Sequence, residues 1–291
     1  MSGAVQIAIA ILGLLVPIGI AFFEHRRRSQ RSQESGTTAQ PVVSRLQLVK
    51  ERGTLVVGCT KHNDLFCNYT ELHGEVHAVG LYPDLVRAFA AEHNLDVVFK
   101  PIRWSEIEHA FGRHGCDVVL HVLETLARGE IGDFVFRRYQ MSIAGVVRAE
   151  DHNRYQPADL HSPDVAIALV RGEAGWEFVS DDLQIRDDRR RPLDVADIGK
   201  MIDLVTAGTA DIGVCDSVSI ADYCEVHSET KLIWADQPLT WCKNSLLVPK
   251  GSKEFGDWID KGFRQALKNP ACKAQEDAVL AHYSGLVRLY A

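Results

Sequence analysis

The residues DVVFKPIRWSEIEHAFGRHGCDVVLHV (96–122) decide the fold. Two apolar, β-branched runs, 96–101 and 117–122, predict strands, and the segment 105–114 between them predicts a helix with Ser105 as its N-cap. A strand, a helix and a second strand in this order form a parallel unit with a right-handed crossover. The stretch therefore predicts an α/β protein.

The same alternation continues on both sides of this stretch. Residues 54–59 predict a further strand, and residues 81–93 predict a helix whose apolar side chains recur at helical spacing. A second α/β series begins with a strand at 165–170, and its charged run 187–191 predicts a solvated loop. The other elements predicted in this series are helices at 175–181, 195–207 and 217–224 and strands at 211–215 and 231–235. Two series of this length predict two α/β units.

The N-terminus carries a separate apolar segment. Residues 4–23 contain no charged side chain, and twenty residues of helix span about 30 Å, the thickness of the hydrocarbon layer. No basic residue precedes the segment, and Phe22 and Phe23 stand where a signal peptidase needs small side chains. The sequence predicts an uncleaved transmembrane helix, with a cleaved signal as the alternative, followed by a polar tether at 24–43.

Charge and cysteine content bear on location. Four arginines follow the apolar segment, and the positive-inside rule then places the C-terminal body in the cytoplasm. The chain has seven cysteines, an odd number without a CxxC pair, which favours buried, reduced thiols over a disulfide framework. Both features favour a cytoplasmic body on a single-pass inner-membrane protein.

Composition excludes some functions. The formal net charge is −7 for 291 residues, and an acidic body argues against nucleic acid as a partner. No phosphate-binding glycine loop and no Ser-His-Asp order stand out. His73 and His77 are four residues apart but lie in a turn-rich stretch. We therefore predict no cofactor, no metal site and no catalytic residue.

Five segments in a fixed order resemble a known family. They are RGTLVVGCT (52–60), GLYPDLVRAFA (80–90), IRWSEIEHAFGRHGCDVVL (102–120), GDF with YQMS (132–142) and LVTAGTADIGVCDS (204–217). They are similar to family 3 of the extracellular solute-binding proteins, which are type II periplasmic binding proteins and include amino-acid receptors of ABC importers. The resemblance implies a two-lobed fold, and the apolar segment 4–23 adds one predicted transmembrane helix before it. Lobe 1 would comprise 44–147 plus 242–291 and lobe 2 150–237, with crossing strands near 145–148 and 238–243.

The resemblance also implies a ligand clamp. In amino-acid receptors an arginine grips the α-carboxylate of the ligand, and Arg128 of the segment Thr125-x-x-Arg128 matches it. An acidic residue after a lobe 2 strand binds the ligand ammonium, and Asp216 matches that position. Thr125 lies beside the clamp. The structural alternatives are a surface role for Arg128 and an N-cap role for Asp216.

Aromatic residues after the first strand usually wall the pocket in this family. Phe66 and Tyr69 are the candidates here, with Asp64 beside them. The alternative is that each ring serves only in packing. Trp104 also matches a family position, where its role is structural.

Two carboxylates depart from the family pattern. Glu124 stands where small hydroxyl residues donate to the ligand carboxylate, and Glu173 stands in the lobe 2 segment that usually reads G-T-T or G-T-S. Like charges in a low-dielectric cleft repel strongly unless one is protonated or paired; Arg171 is a possible partner for Glu173. We therefore expect an amino-acid-like or cationic ligand that is not a standard neutral or acidic amino acid, or a cleft that has lost its ligand.

The predicted function is non-catalytic binding of a small polar solute, as a transporter receptor or a sensor module. The alternative is a dehydratase-like enzyme of the same fold with Glu173 as general acid. The predicted partners are the small-molecule ligand, the membrane through residues 4–23 and, for a receptor, an ABC permease. The family favours a periplasmic body, whereas the charge rule favours a cytoplasmic one.

Overall fold

A computed structural model describes residues 43–62, 65–185, 190–193 and 198–290. The predicted transmembrane helix (4–23), nearly all of the tether (24–43) and Asp64 lie outside these residues. Within the described part of the chain, no helix has the length and apolar character needed to cross a bilayer.

The described elements alternate between helix and strand over most of the chain. The helices are α1 Arg45–Arg52, α2 Leu81–Glu92, α3 Leu126–Ile131, α4 Ala174–Glu177, α5 Gly199–Thr206, α6 Ser217–Val226, α7 Lys253–Ala266 and α8 Pro270–His282. The strands are β1 Thr54–Cys59, β2 Asn68–Leu72, β3 Glu75–Val79, β4 Asp96–Pro101, β5 Val118–Leu123, β6 Gly132–Arg148, β7 Ile167–Val170, β8 Arg190–Leu193, β9 Ile212–Asp216, β10 Thr230–Ile233, β11 Thr240–Pro249 and β12 Val287–Leu289.

The main sheet contains two parallel sets of strands. Its order is β4-β1-β5-β11-β6-β9-β7-β8, with β10 and β12 also paired to β6. Strand β1 runs parallel to β4 and β5, and strand β7 runs parallel to β8 and β9. These sets are the predicted α/β series; β1, β4 and β5 belong to lobe 1, and β7, β8 and β9 belong to lobe 2.

Strands β6 and β11 connect the two lobes. They pair antiparallel from Gly132 opposite Pro249 to Ile143 opposite Thr240. Beyond that point β6 pairs with β9, where Ile143 lies opposite Asp216. Strand β11 meanwhile pairs with β5 of lobe 1. Because the same backbone belongs to both lobes, the residues at their junction are held by sheet hydrogen bonds.

Helices α2 and α7 cover the lobe 1 sheet through their apolar stripes. The apolar stripe of α7 is buried at Phe255, Ile259, Phe263 and Ala266. The ring of Phe263 lies 5.6 Å from that of Phe89 on α2. Burying one such side chain stabilises the fold by about 1.5–3 kcal/mol.

Two predicted elements differ from the structure. The segment 105–114 forms only a short 3₁₀ helix, Trp104–His109, followed by turns. The side chains of Trp104, Ile107 and Ala110 are all buried, and a 3₁₀ helix aligns residues at this spacing of three. In the run predicted as a loop (187–191), Arg190 begins strand β8 because it pairs with Ile167 of β7.

A buried carboxylate ties the last helix to β6. Glu276 of α8 is fully buried and accepts hydrogen bonds from Arg138 at 2.5 Å, the Tyr139 hydroxyl at 2.7 Å and Lys273 at 2.9 Å. Burial by itself would raise the pKa of Glu276, but the hydrogen bonds from these three partners lower it to about 2.

We expect Glu276→Gln to destabilise the chain by about 2 kcal/mol at pH 7, because charged hydrogen bonds are lost in a buried site. The wild-type carboxylate stabilises the fold above its unfolded pKa, near 4.5, and this contribution is lost as the pH falls towards 2. The cost of the substitution should therefore shrink at low pH in urea unfolding. Asp277→Asn, at an exposed neighbour, is the control, and an equal cost for both variants would contradict the prediction.

Candidate functional site

Arg128 lies at the junction of the lobes, on the short helix α3. Thr125 caps this helix, and its hydroxyl accepts from the Arg128 backbone N–H at 3.3 Å. The Arg128 side chain is 3% exposed, so it is not a surface arginine. Its guanidinium carbon lies 5.4 Å from the centre of the Trp104 ring, within the range of a cation–π contact.

The guanidinium of Arg128 bridges the lobes through backbone oxygens. One terminal nitrogen donates to Leu123 O in lobe 1 at 2.6 Å, and the other donates to Gly172 O in lobe 2 at 2.6 Å. Its Nε lies 3.8 Å from a carboxylate oxygen of Glu177. Charged hydrogen bonds of this kind contribute about 1.5–3 kcal/mol each, so Arg128 links the two lobes at their junction.

Glu173 and Asp216 cap two lobe 2 helices and are each 1% exposed. A Glu173 oxygen accepts from Gly175 N at 2.5 Å, and an Asp216 oxygen accepts from Ser219 N at 2.8 Å. Burial, followed by repulsion from Asp216, raises the pKa of Glu173 to about 8, although the Gly175 N–H and Arg128 act in the opposite direction. The structure thus brings the predicted Arg128, Glu173 and Asp216 into one electrostatic cluster.

Arg171 does not serve as the partner of Glu173 that the sequence suggested. Its side chain is exposed, and its guanidinium carbon lies 5.0 Å from the centre of the Trp176 ring. Stacking on an indole satisfies an arginine at the protein surface.

The lobes approach each other closely beside this cluster. Gly172 adopts a φ of +77°, and a Cβ atom placed on it would lie 2.6 Å from the Trp104 carbonyl oxygen. A side chain at this position would therefore collide with the backbone of the other lobe. A second contact joins the lobes where the Ser219 hydroxyl donates to His62 O at 3.0 Å.

The aromatic candidates lie in the core of lobe 1. Phe66 is fully buried, and its ring stacks on those of His121 and Tyr283 at centroid distances of 5.3 and 5.9 Å. Tyr69 is 5% exposed and lies on β2. Sequence reasoning missed the buried His62, which lies 3.7 Å from His121 between ring centroids. Burial, with further contributions from His121 and Arg128, lowers the pKa of His62 well below its usual value.

A cavity of about 490 Å³ lies next to the cluster. One wall is formed by α3 and the start of β6 in lobe 1, and the other is formed by the helical segment 174–182 in lobe 2. Thr240 and Cys242 of β11 also line it. Five carboxylates line the cavity: Glu124, Glu130, Glu177, Asp181 and Asp182. The described lining residues include no lysine or arginine.

Of the predicted site residues that the structure describes, two, Glu124 and Thr125, line this cavity. Glu124 is anchored by Arg137 at 2.5 Å and by the Ser245 hydroxyl at 2.6 Å. The lobe 2 carboxylates were missed, although the sequence carries a signal for them. Glu173, Glu177 and Asp181 recur every four residues, and this spacing places acidic side chains on one face of a helix.

The cysteines are all thiols, and five of the seven are buried. Burial, followed by the negative charge of Glu173, raises the pKa of the Cys242 thiol to about 12. Burial likewise raises the pKa of Cys116 to about 12 and that of Cys215 well above its usual value. These groups are protonated near neutral pH and act as small apolar side chains.

The raised pKa of Glu173 predicts a pH dependence of stability. A carboxyl group whose pKa is higher in the folded chain stabilises it at low pH, and this contribution is lost as the pH rises from about 4.5 to about 8. Relative to Glu173→Gln, the free energy of unfolding of the wild-type chain should fall by up to about 1.4 kcal/mol per pH unit in this window. Urea unfolding of both chains at pH 5, 6, 7 and 8 measures the difference, and contributions from other groups such as His62 cancel. A difference that does not vary with pH would contradict the prediction.

Solved structures with the same fold come from receptors and from a sensor. An amino acid ABC transporter substrate-binding protein from Streptococcus pneumoniae, bound to L-arginine, is 21% identical with a TM-score of 0.67, covering 82% of this chain and 99% of its own. An ancestral amino-acid-binding protein, described as a precursor of cyclohexadienyl dehydratase, is 22% identical with a TM-score of 0.68 and coverages of 81% and 98%. A histidine kinase sensor domain is 18% identical with a TM-score of 0.67 and coverages of 78% and 96%.

The TM-scores of 0.67 to 0.68 show that these proteins share one fold with this chain. No curated protein sequence matches the chain significantly. The family model for bacterial extracellular solute-binding proteins, family 3, matches residues 55–278, which include both parallel strand sets and the crossing strands. The chain belongs to family 3 of the bacterial extracellular solute-binding proteins.

Proposed function

We propose that this chain is a non-catalytic binding module that holds a small cationic solute in the cavity between its lobes. The observation that carries the proposal is the charge of the cavity lining. Five of the described lining residues are carboxylates, and none of them is basic. A concave site of one charge sign with apolar walls concentrates counter-ions of the opposite sign. The preferred ligand is therefore an amine, a guanidinium compound or a basic amino acid.

The size and the walls of the cavity support a small organic ligand. A volume of about 490 Å³ lies within the range of small-molecule sites. Phe134 from lobe 1 and Phe178 from lobe 2 contribute rings to opposite walls. Aromatic faces attract organic cations, and the attraction grows where water is excluded. An inorganic cation would gain little from such rings.

A dehydratase-like role for Glu173 is the second candidate. A pKa of about 8 would suit a general acid near neutral pH. A general acid must, however, come within hydrogen-bonding distance of the substrate, whereas Glu173 is 1% exposed and bonded to the backbone of its own helix. The geometry favours a role for Glu173 in the electrostatics of the cleft.

The role in the cell depends on which side of the membrane the body faces. We propose that residues 4–23 anchor the chain in the inner membrane; a receptor for an importer then needs a periplasmic body, whereas a cytoplasmic body implies an intracellular sensor. A cysteine introduced by Glu254→Cys, at an exposed position on α7, can report which side of the membrane the body faces. It suits this purpose better than the native thiols, because their raised pKa slows their reaction with a maleimide. Labelling of intact cells by an impermeant maleimide would favour the receptor, and labelling only after lysis would rule it out.

Cationic solutes should stabilise the full-length chain. Agmatine, spermidine and arginine at 100 times their Kd would add about 2.7 kcal/mol to the free energy of unfolding and raise Tm by several degrees. Asp182→Asn should weaken binding of agmatine about fivefold, the equivalent of about 1 kcal/mol for one charge pair. Thermal denaturation and titration calorimetry at constant ionic strength measure both effects.

Asp96→Asn is the matched control, because Asp96 is exposed at the start of β4 in lobe 1; this variant should bind like the wild-type chain. Glutamate and aspartate serve as anionic controls. Strong stabilisation by either of them, or no stabilisation by any of the three cations, would overturn the proposal. The second result would favour the alternative in which the cleft has lost its ligand.

A further inference from the structure

Three metal-ligating side chains meet where α6 and α8 end. Asp222 and Glu225 lie three residues apart on α6, so they share one face of that helix. His282 is the last residue of α8. One ligand atom from each of these side chains lies within 4.8 Å of the other two. An imidazole nitrogen and two carboxylate oxygens are therefore placed together by residues from two separate helices.

The electrostatics of this group favour a cation. Two carboxylates on one helix face repel each other, and Glu225 lies in the last turn of α6, where the helix dipole adds negative potential. The C-terminal end of α8 carries the same partial charge. A protonated His282 would offset part of this charge as an ion pair, whereas a divalent cation bound by all three side chains would offset more of it.

The separations between the ligand atoms fit a small divalent ion. Nε2 of His282 lies 3.3 Å from an oxygen of Asp222 and 3.7 Å from an oxygen of Glu225. Zinc binds histidine nitrogen and carboxylate oxygen at about 2.0–2.2 Å, so two ligands of a tetrahedral zinc ion lie about 3.3–3.6 Å apart. Glu225 is exposed, so its side chain can complete the site by rotating about its own bonds.

Two of the three ligands are already oriented by Tyr283. The Tyr283 hydroxyl donates to the second oxygen of Asp222 at 2.6 Å and accepts from Leu65 N at 2.9 Å. The His282 imidazole packs edge-on against the Tyr283 ring at a centroid distance of 4.6 Å. Tyr283 is itself buried, so its position is fixed. Outer partners of this kind orient the ligands of metal sites.

The ligand set selects the class of ion. Mg²⁺ and Ca²⁺ prefer sites made of oxygen atoms alone, whereas an imidazole nitrogen suits Zn²⁺, Ni²⁺ and Cu²⁺. Three protein ligands leave one position of a tetrahedral zinc ion for a water molecule.

We infer that Asp222, Glu225 and His282 form a binding site for a zinc-like divalent cation that links α6 to α8. Helix α6 follows strand β9 of lobe 2, whereas α8 is tied to β6 through Glu276, so the bound ion holds the last helix against lobe 2. None of the three ligands belongs to the described lining of the acidic cavity, and the inference does not depend on the proposed function. Asp222 and His282 are 60 residues apart, so no local motif could predict the site.

Zinc titration of the full-length chain, purified without a histidine tag, tests the site. Titration calorimetry should show one tight Zn²⁺ site per chain, and about a hundredfold excess of Mg²⁺ or Ca²⁺ should not displace the ion. His282→Gln and Glu225→Gln each remove one ligand. Each should raise the Kd for Zn²⁺ at least tenfold, because even the loss of an outer partner weakens a metal site by about 10- to 100-fold. Both side chains are exposed, so both variants should fold.

His227→Gln is the matched control. His227 follows the last residue of α6 and pairs with Glu229 at 3.1 Å, and the structure describes no third ligand beside this pair. The His227→Gln variant should keep the Kd for Zn²⁺ within twofold of the wild-type value. Saturating Zn²⁺ should raise Tm in the wild-type chain and in His227→Gln, and should raise it much less in the two ligand variants.

Two results would overturn the inference. Absence of a tight zinc site in the wild-type chain would mean that His282 and the two carboxylates form an ion pair only. Zinc binding that keeps the wild-type Kd in both His282→Gln and Glu225→Gln would mean that the metal binds elsewhere in the chain.

Discussion

The bridge formed by the Arg128 guanidinium is the contact on which the geometry of the cleft depends. A charged group that is 3% exposed loses most of its hydration, and this loss must be offset by hydrogen bonds and nearby negative charge. Leu123 O and Gly172 O supply the hydrogen bonds, one from each lobe. Neighbouring features serve this bridge: Thr125 begins the helix that carries Arg128, and Gly172 allows the two backbones to approach.

The bridge also explains the position of the acidic cavity. The buried side chains of Arg128, Glu173 and Asp216 fill the centre of the junction. The remaining space therefore lies beside them, where α3 faces the helical segment 174–182. Glu177 and Asp181 on that segment are four residues apart, so they share one side of the helix. The crossing strand β11 lines the cavity as well.

The elements that could be predicted from sequence are those whose burial follows a simple period. Strand β1 has the predicted bounds, Thr54–Cys59, because its apolar run is buried on both faces. Strand β6 was recognised only near its end, because its first half, GDFVFRRYQ, mixes charges with rings as it passes from one lobe towards the other. Helix α8 was missed because few of its side chains, among them Cys272, Glu276 and Val279, are buried.

For the site, motifs identified individual residues but not their surroundings. Arg128, Glu173 and Asp216 could be selected because each lies at or shortly after the end of a strand within a family pattern. Their burial could not be predicted, since it results from the close contact of Gly172 with Trp104 across the lobes. The same limit applies to Phe66, whose partner Tyr283 is more than two hundred residues away in the chain. Contacts at such separations leave no local sequence pattern.

The raised pKa values of the thiols have a consequence for chemical durability. With a pKa of about 12, Cys116 and Cys242 exist as thiolate in only about one molecule in 10⁵ at pH 7. Oxidation and disulfide exchange both proceed through the thiolate. Cys215 is shielded in the same way. These thiols therefore resist oxidation without the help of a reducing compartment, and an odd number of cysteines carries less weight as a sign of a cytoplasmic location than the count alone suggests.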